Sequence, residues 1–295
     1  MNVPRSIPPF WAKPLVRLLV ACLGLWARPG TTAEQTPAPS LRWVVYYADA
    51  ARHEDFAPYD LVVLDSLHHP GLLALRDQGK VLLGYASLGE AEQHRSWFAA
   101  VRAEGLLVRE NPHWPGSWTV DVRDARWVKR VVEDIVPAVL RQGFHGLFVD
   151  TLDNPIALER EDPQRYAGMQ DATVRLVQTL RYHFPDMKIM INRGYEVLPR
   201  LAEHIDYVLG ESVRADYDFE NKTYRRVGEE DYRWQVDQLL ALQRQRPALG
   251  IFTLDYWDPE DAPGVARLYR EQRANGFSPY VATIDLDRIV PEPAP

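Results

Sequence analysis

Two carboxylates in this sequence stand where acid–base chemistry could be done. Asp150 closes the apolar run Gly-Leu-Phe-Val at 146–149, and Glu211 closes Tyr-Val-Leu-Gly at 207–210. A short apolar run cut off by a charged residue reads as a strand buried on both faces, the kind found in parallel sheets covered by helices. In such sheets the carboxyl ends of the strands open onto the ligand crevice. Two acids held there on rigid elements can flank one bond, and like-charge proximity with partial burial separates their proton affinities. That equipment suits hydrolysis of a glycosidic bond, which needs one carboxyl ionised and one protonated. Taken alone, Asp150 is more simply a helix cap; what shifts the weight is that the pattern recurs along the chain. Asp153 is an alternative partner for Asp150, a hydrogen-bond acceptor behind it, or a cap.

The recurrence supplies the rest of the candidate site. The run beginning at Trp43 reaches Tyr47, residues 61–64 end in Asp65, and residues 81–85 end in Tyr85 and lead to Glu90. Residues 118–120 end in Asp121, 188–191 in Asn192 and Arg193, 251–254 in Asp255 and Tyr256, and 280–284 in Asp285. Acidic groups among aromatics are what a sugar-binding cleft needs: rings cover the apolar faces of pyranoses, and carboxylates accept from hydroxyls or pair with amino groups.

Helical patterns lie between these strands. Residues 125–142 place Val128, Val131, Val132, Ile135 and Val139 at amphipathic spacing before Gly143, and 169–183, 232–245 and 262–275 behave similarly. Strands alternating with helices imply parallel pairing, so the expected fold is α/β, a (β/α)8 TIM-type barrel. The strand count exceeds that of a barrel by one; the run at 118–120 is the candidate for an added strand or a loop. An open doubly wound sheet is the runner-up, but no Gly-x-Gly-x-x-Gly turn follows the first strand, which leaves nucleotide binding without support.

The organisation reads as an export signal over 1–33, a linker over 34–41, a barrel over 42–290 and a tail over 291–295. Arg5, Lys13 and Arg17 precede a short apolar stretch, and Pro29 to Ala33 resemble a cleavage region. The stretch is shorter than the roughly 20 apolar residues of a spanning helix. Cys22, the sole cysteine, sits there in a lipobox-like context, so the expected location is periplasmic or extracellular, with outer-membrane lipid anchoring through Cys22 as the alternative. A mature domain without cysteine has neither disulfide nor thiolate chemistry. The net charge of −7 disfavours nucleic acid and anionic membranes as partners and suits a neutral or cationic ligand.

Other chemistries have less support. No Gly-x-Ser-x-Gly elbow is present. The eight histidines are scattered, with His68 and His69 adjacent but no His-x-x-x-His, so no metal site and no cofactor is expected.

The series Tyr-Ala-Ser-Leu-Gly-Glu (85–90), Gly-Ser-Trp-Thr-Val-Asp (116–121), Gly-Leu-Phe-Val-Asp-Thr-Leu-Asp (146–153), Ile-Asn-Arg-Gly-Tyr-Glu (191–196) and Gly-Glu-Ser (210–212) resembles the PelA-type hydrolase domains of glycoside hydrolase family 166. That family is related to the family 114 endo-α-1,4-polygalactosaminidases. The similarity runs from about Trp43 to Asp287. It implies a barrel that cleaves internal α-1,4 bonds of a partly deacetylated, cationic galactosamine exopolysaccharide of the Pel type, as found in biofilms. It also implies Asp150 as nucleophile and Glu211 as acid/base in a retaining mechanism. A monomer is expected. The alternatives are a non-catalytic exported glycan-binding barrel and a hydrolase of another hexosamine polymer, with specificity in loops such as 154–168 and 217–228.

Overall fold

A computed structural model describes residues 41–293. The expected export signal, and all but the last residue of the expected linker, lie outside the described residues.

Eight parallel strands form the barrel: β1 (Trp43–Tyr46), β2 (Leu61–Leu64), β3 (Val81–Ser87), β4 (Gly146–Asp150), β5 (Lys188–Asn192), β6 (Tyr207–Glu211), β7 (Gly250–Tyr256) and β8 (Ser278–Ala282). They neighbour one another in that order, and every ladder between them is parallel. β1 and β8 meet through Trp43 Nε1 on the Ser278 carbonyl (2.9 Å) and the Leu41 amide on Ser278 Oγ (3.2 Å), which brings the ring close to closure. Side chains alternate across each strand, so Trp43, Tyr207 and Phe252 share the inner face with Tyr47, Glu211 and Tyr256. Low in the barrel these are aromatic: Trp43 meets Phe252 at 5.5 Å and Tyr280 at 5.7 Å between ring centroids, and Tyr207 meets Phe252 at 5.4 Å, all edge to face. A floor of rings leaves the polar residues only the other end.

The ninth expected strand is not part of the barrel. Ser117–Val120 is the middle of a separate antiparallel sheet, with Glu90–Glu92 on one side and Leu107–Glu110 on the other. This sheet is inserted after β3. A hairpin, Ala215–Asp218 with Thr223–Arg226, is inserted after β6. Both insertions leave from strand carboxyl ends, as the functional loops of barrels do.

The helix expected over 125–142 is continuous in direction but not in type. A π-helical turn, Val131–Ile135, separates Ala125–Arg130 from Val136–Gln142. Pro137 is the second residue after it; proline lacks the amide of a regular turn and crowds the carbonyl four residues back, that of Glu133, which the wider turn relieves. Gly143, at φ 111°, ends the helix as the sequence indicated. Residues 154–168, expected to be a loop, begin instead with the helix Asp153–Glu161.

Candidate active site

β4, β5 and β6 are neighbours, and their last residues are Asp150, Asn192 and Glu211. Asn192 Nδ2 donates to Asp150 Oδ1 at 2.9 Å and to Glu211 Oε2 at 2.6 Å. One amide nitrogen therefore holds both carboxylates. Glu211 takes a second donor, the Tyr256 hydroxyl, at 2.5 Å from Oε1. The residue after each of these strands turns left-handed without being glycine: Thr151 at φ 65°, Arg193 at 53° and Ser212 at 53°. Such conformations cost about 1 kcal/mol or more each and persist where the surroundings enforce them. Here they turn the chain away from the mouth directly after each polar side chain, and local bonds hold the turns. Thr151 Oγ1 pairs with Ser87 Oγ (2.7 Å) and accepts from the Gly89 amide (3.0 Å), and Ser212 Oγ donates to Asp216 (3.0 Å). A Cβ on Gly89 would collide with the Thr151 carbonyl, so only glycine lets the β3 insertion pass so close to Asp150.

Electrostatics set the acids apart. Both keep partial exposure at the mouth yet sit deep among neighbours. Burial, then the facing Glu211 carboxylate, pushes Asp150 up to about 7, against the opposing bond from Asn192. The pair thus retains one proton near neutrality, and that proton belongs to the pair as a unit. Burial also raises Asp153, opposed by Arg193. Arg193 resists the effect of its own burial through the Glu211 and Asp153 carboxylates, and its guanidinium donates to the Glu211 carbonyl at 3.2 and 3.3 Å. Tyr47 and Tyr85 pack edge to face at 5.3 Å, and the Tyr47 hydroxyl is raised by burial and by Asp150, Glu211, Asp65 and Glu92. Tyr85 is raised by burial first and then by Asp150 and Glu92, and Tyr256 by burial first and then by Glu211, with Asp150 adding less. Negative charge therefore dominates the mouth, with Arg95 bound to Asp65 (3.4 Å) and Glu92 (2.7 Å) at its edge.

Of the residues expected at the site, Asp150, Glu211, Asn192, Arg193, Asp153, Tyr47, Tyr85 and Tyr256 gather there, with Asp65 at the rim. Three do not. Asp255 is fully buried on the outer face of β7, where Oδ1 accepts from the Arg214 (2.6 Å) and Ala215 (2.9 Å) amides and Oδ2 from Gln272 (2.8 Å). Tyr256, one residue on, takes the inner face, because successive side chains on a strand oppose one another. Asp255 anchors the base of the β6 hairpin. Glu90 is buried within the inserted sheet, accepting from Asn111 (3.0 Å), Ser117 (2.5 Å) and Asn154 (2.5 Å). Asp121 is spent on Arg123 (2.7 Å), whose other contacts lead to the Arg165 and Ala167 carbonyls. Glu92 and Arg95 were missed; both fall in the short inserted segment that lacks a readable period.

Among the described residues no cluster of three or more His, Cys, Asp or Glu could hold a metal ion. A groove of about 420 Å³ on the helical outer layer, bordered by Val128, Val132, Leu176 and Arg175, carries a single carboxylate, Glu133. It lacks the paired acids that the barrel mouth provides.

The model of glycoside hydrolase family GH114 matches residues 25–294. The chain belongs to glycoside hydrolase family 114. Its structure is similar to the glycoside hydrolase domain of PelA from Pseudomonas aeruginosa, with a TM-score of 0.73 and 28% identity over 84% of this chain and 96% of that one. Ega3 of Aspergillus fumigatus, solved in complex with galactosamine, shares the fold at a TM-score of 0.67 and 15% identity, over 88% and 98% of the two chains. An uncharacterized protein of Deinococcus radiodurans is 27% identical over 247 residues, 79% of this chain and 76% of its own. The resemblance seen in the strand-end motifs is thus borne out at the level of family and fold, and this family 114 member is a glycoside hydrolase.

Proposed function

We propose that this family 114 hydrolase is exported and cleaves internal α-1,4 bonds of a partly deacetylated galactosamine polymer of the Pel type. The observation that carries the proposal is the Asp150–Asn192–Glu211 bridge at the barrel mouth. Because both bonds share one nitrogen, the two accepting oxygens lie no farther apart than the bonds laid end to end, about 5.5 Å; retaining glycosidases hold their carboxyls roughly 5–5.5 Å apart and inverting ones roughly 6.5–9.5 Å. The negative mouth supports a cationic sugar, since a protonated amino group gains from Asp65, Glu92 and Asp153 around the pair. The galactosamine bound by Ega3 and the similarity to the PelA domain support the same sugar class.

In this mechanism Glu211 protonates the leaving glycosidic oxygen while Asp150 attacks the anomeric carbon. Water then enters, Glu211 takes its proton, and the bond to Asp150 breaks with retention. A second assignment exchanges the two roles. Glu211 has two donors on its carboxylate whereas Asp150 has the raised proton affinity, which suits an ionised nucleophile at 211 and an acid at 150. Azide rescue separates the assignments: a glycosyl azide of retained configuration formed by Glu211→Ala supports the first, and one formed by Asp150→Ala the second. The function itself is tested by reducing ends released from partly deacetylated α-1,4-galactosamine polymer. Wild type releases them and Glu211→Gln does not; binding without release, or a Glu211→Gln rate near that of wild type, contradicts it. Action outside the cytoplasm, in the periplasm or beyond the cell, rests on the signal-like segment and is tested by locating the full chain after cell fractionation.

A further inference from the structure

Two hairpins stand at the mouth, with their bases fastened beside different acids. In the inserted sheet, residues 111–116 connect Leu107–Glu110 to Ser117–Val120. At their base Asn111 donates to Glu90 Oε1 (3.0 Å), and the same oxygen takes Asn154 (2.5 Å) from the helix that follows Asp150. In the other hairpin, residues 219–222 connect Ala215–Asp218 to Thr223–Arg226, and its base is tied to Ser212, the neighbour of Glu211. The tips meet. Trp114 and Phe219 touch edge to face at 5.6 Å and 82°, and Tyr217 extends the row at 5.2 Å from Phe219. Trp114 nevertheless remains 54% exposed and Phe219 46% exposed. Single exposed apolar residues are ordinary, but adjoining ones at the edge of a cleft mark a binding surface. The arch is continuous with the acid pair through both bases, which commits its occupant to the polymer whose bond lies between those acids.

We propose that Trp114 and Phe219 form an aromatic clasp that binds sugar units of the substrate away from the scissile bond. This inference rests on the function proposed above. A galacto-configured pyranose has an axial O4, which leaves its C3, C4 and C5 hydrogens as one apolar patch. An aromatic ring covers such a patch while the hydroxyls and amino group stay in water. A clasp spanning both sides of the cleft holds an internal stretch of polymer, and a disaccharide seated at the acids does not reach it.

The test uses Glu211→Gln as the binding-competent parent, with Trp114→Ala or Phe219→Ala added singly, and measures affinity for partly deacetylated α-1,4-galactosamine polymer and for its disaccharide. Each added substitution weakens polymer binding about tenfold and leaves disaccharide binding unchanged. Polymer also alters the tryptophan fluorescence of the parent, and Trp114→Ala removes that change. Polymer affinity within twofold of the parent in both variants overturns the clasp, as do equal losses on polymer and disaccharide or failure of the parent to bind polymer. Melting temperatures confirm folding, and two separately substituted rings guard against one unstable variant. Reducing-end release by wild type with unaltered polymer affinity in the variants sinks the clasp alone, whereas absence of release sinks the hydrolase proposal.

Discussion

Asp206 and Asp150 are aspartates at opposite ends of one barrel, and their surroundings give them opposite properties. Asp206, just before β6, accepts from Arg181 (2.7 Å), Lys188 (3.0 Å) and the Ile189 amide (3.1 Å). Burial works against its charge, yet these donors hold it below the usual carboxylate range. Asp150 accepts from the neutral Asn192 and faces another carboxylate, so burial prevails and its proton affinity rises to about 7. Asp150 is the more deeply buried of the two, and it also lacks the charged donors that offset burial at Asp206. The floor spends the Asp206 charge on tying β5 to the start of β6, and the mouth keeps its charges under-compensated, as acid–base chemistry requires.

The largest effect expected from this contrast is on turnover. Asp150→Asn and Glu211→Gln each lower kcat by about a thousandfold or more, with folding and polymer binding nearly intact, whereas Asp206→Asn leaves kcat within about twofold. A comparable loss at all three positions, measured as initial rates of reducing-end release, would erase the distinction between mouth and floor. Next comes the bridge. Asn192→Ala removes a donor from both acids and lowers kcat about a hundredfold; its pH–rate profile moves to more alkaline pH, because the bond from Asn192 opposes the rise at Asp150. A profile unchanged in position would show that Asn192 does not tune the pair.

Two stability effects of opposite sign follow. Asp206 has a depressed affinity in the folded state, so it stabilises the fold above the unfolded-state value and that contribution disappears as pH falls through the folded one. Asp206→Asn therefore costs about 1–2 kcal/mol at pH 7, and progressively less below about pH 4, in urea titrations. Asp150 has a raised affinity, so the folded state binds more protons than the unfolded one between about pH 4 and 7 and loses stability as pH rises through that window. Asp150→Asn then melts above wild type at pH 8 and level with it at pH 4. A destabilised Asp150→Asn at pH 8 would mean that the acid is better compensated than its neighbours imply.

The barrel strands are legible in the sequence because each is buried on both faces and writes itself as an unbroken apolar run, such as Leu147 to Val149. The three-residue strand Glu90–Glu92 and the half-exposed Leu107–Glu110 are not, since neither is long enough to establish a period. Asp255 was misplaced for a sharper reason. At the last residues of a strand, one step of parity decides between cleft and outer face, and the adjacent Asp255 and Tyr256 are both polar enough for either. Asn192 stood out only as a polar strand-end residue; its part as the common donor to two acids depends on β5 lying between β4 and β6, which only the assembled barrel reveals.

The most direct test is the anomeric configuration of the oligosaccharides released from partly deacetylated α-1,4-galactosamine polymer, read by proton NMR at the earliest times. Two acids joined by one amide at the barrel mouth predict the α anomer first, with β appearing only by mutarotation. First appearance of the β anomer would contradict retention and the close pairing of Asp150 with Glu211 on which the mechanism is built.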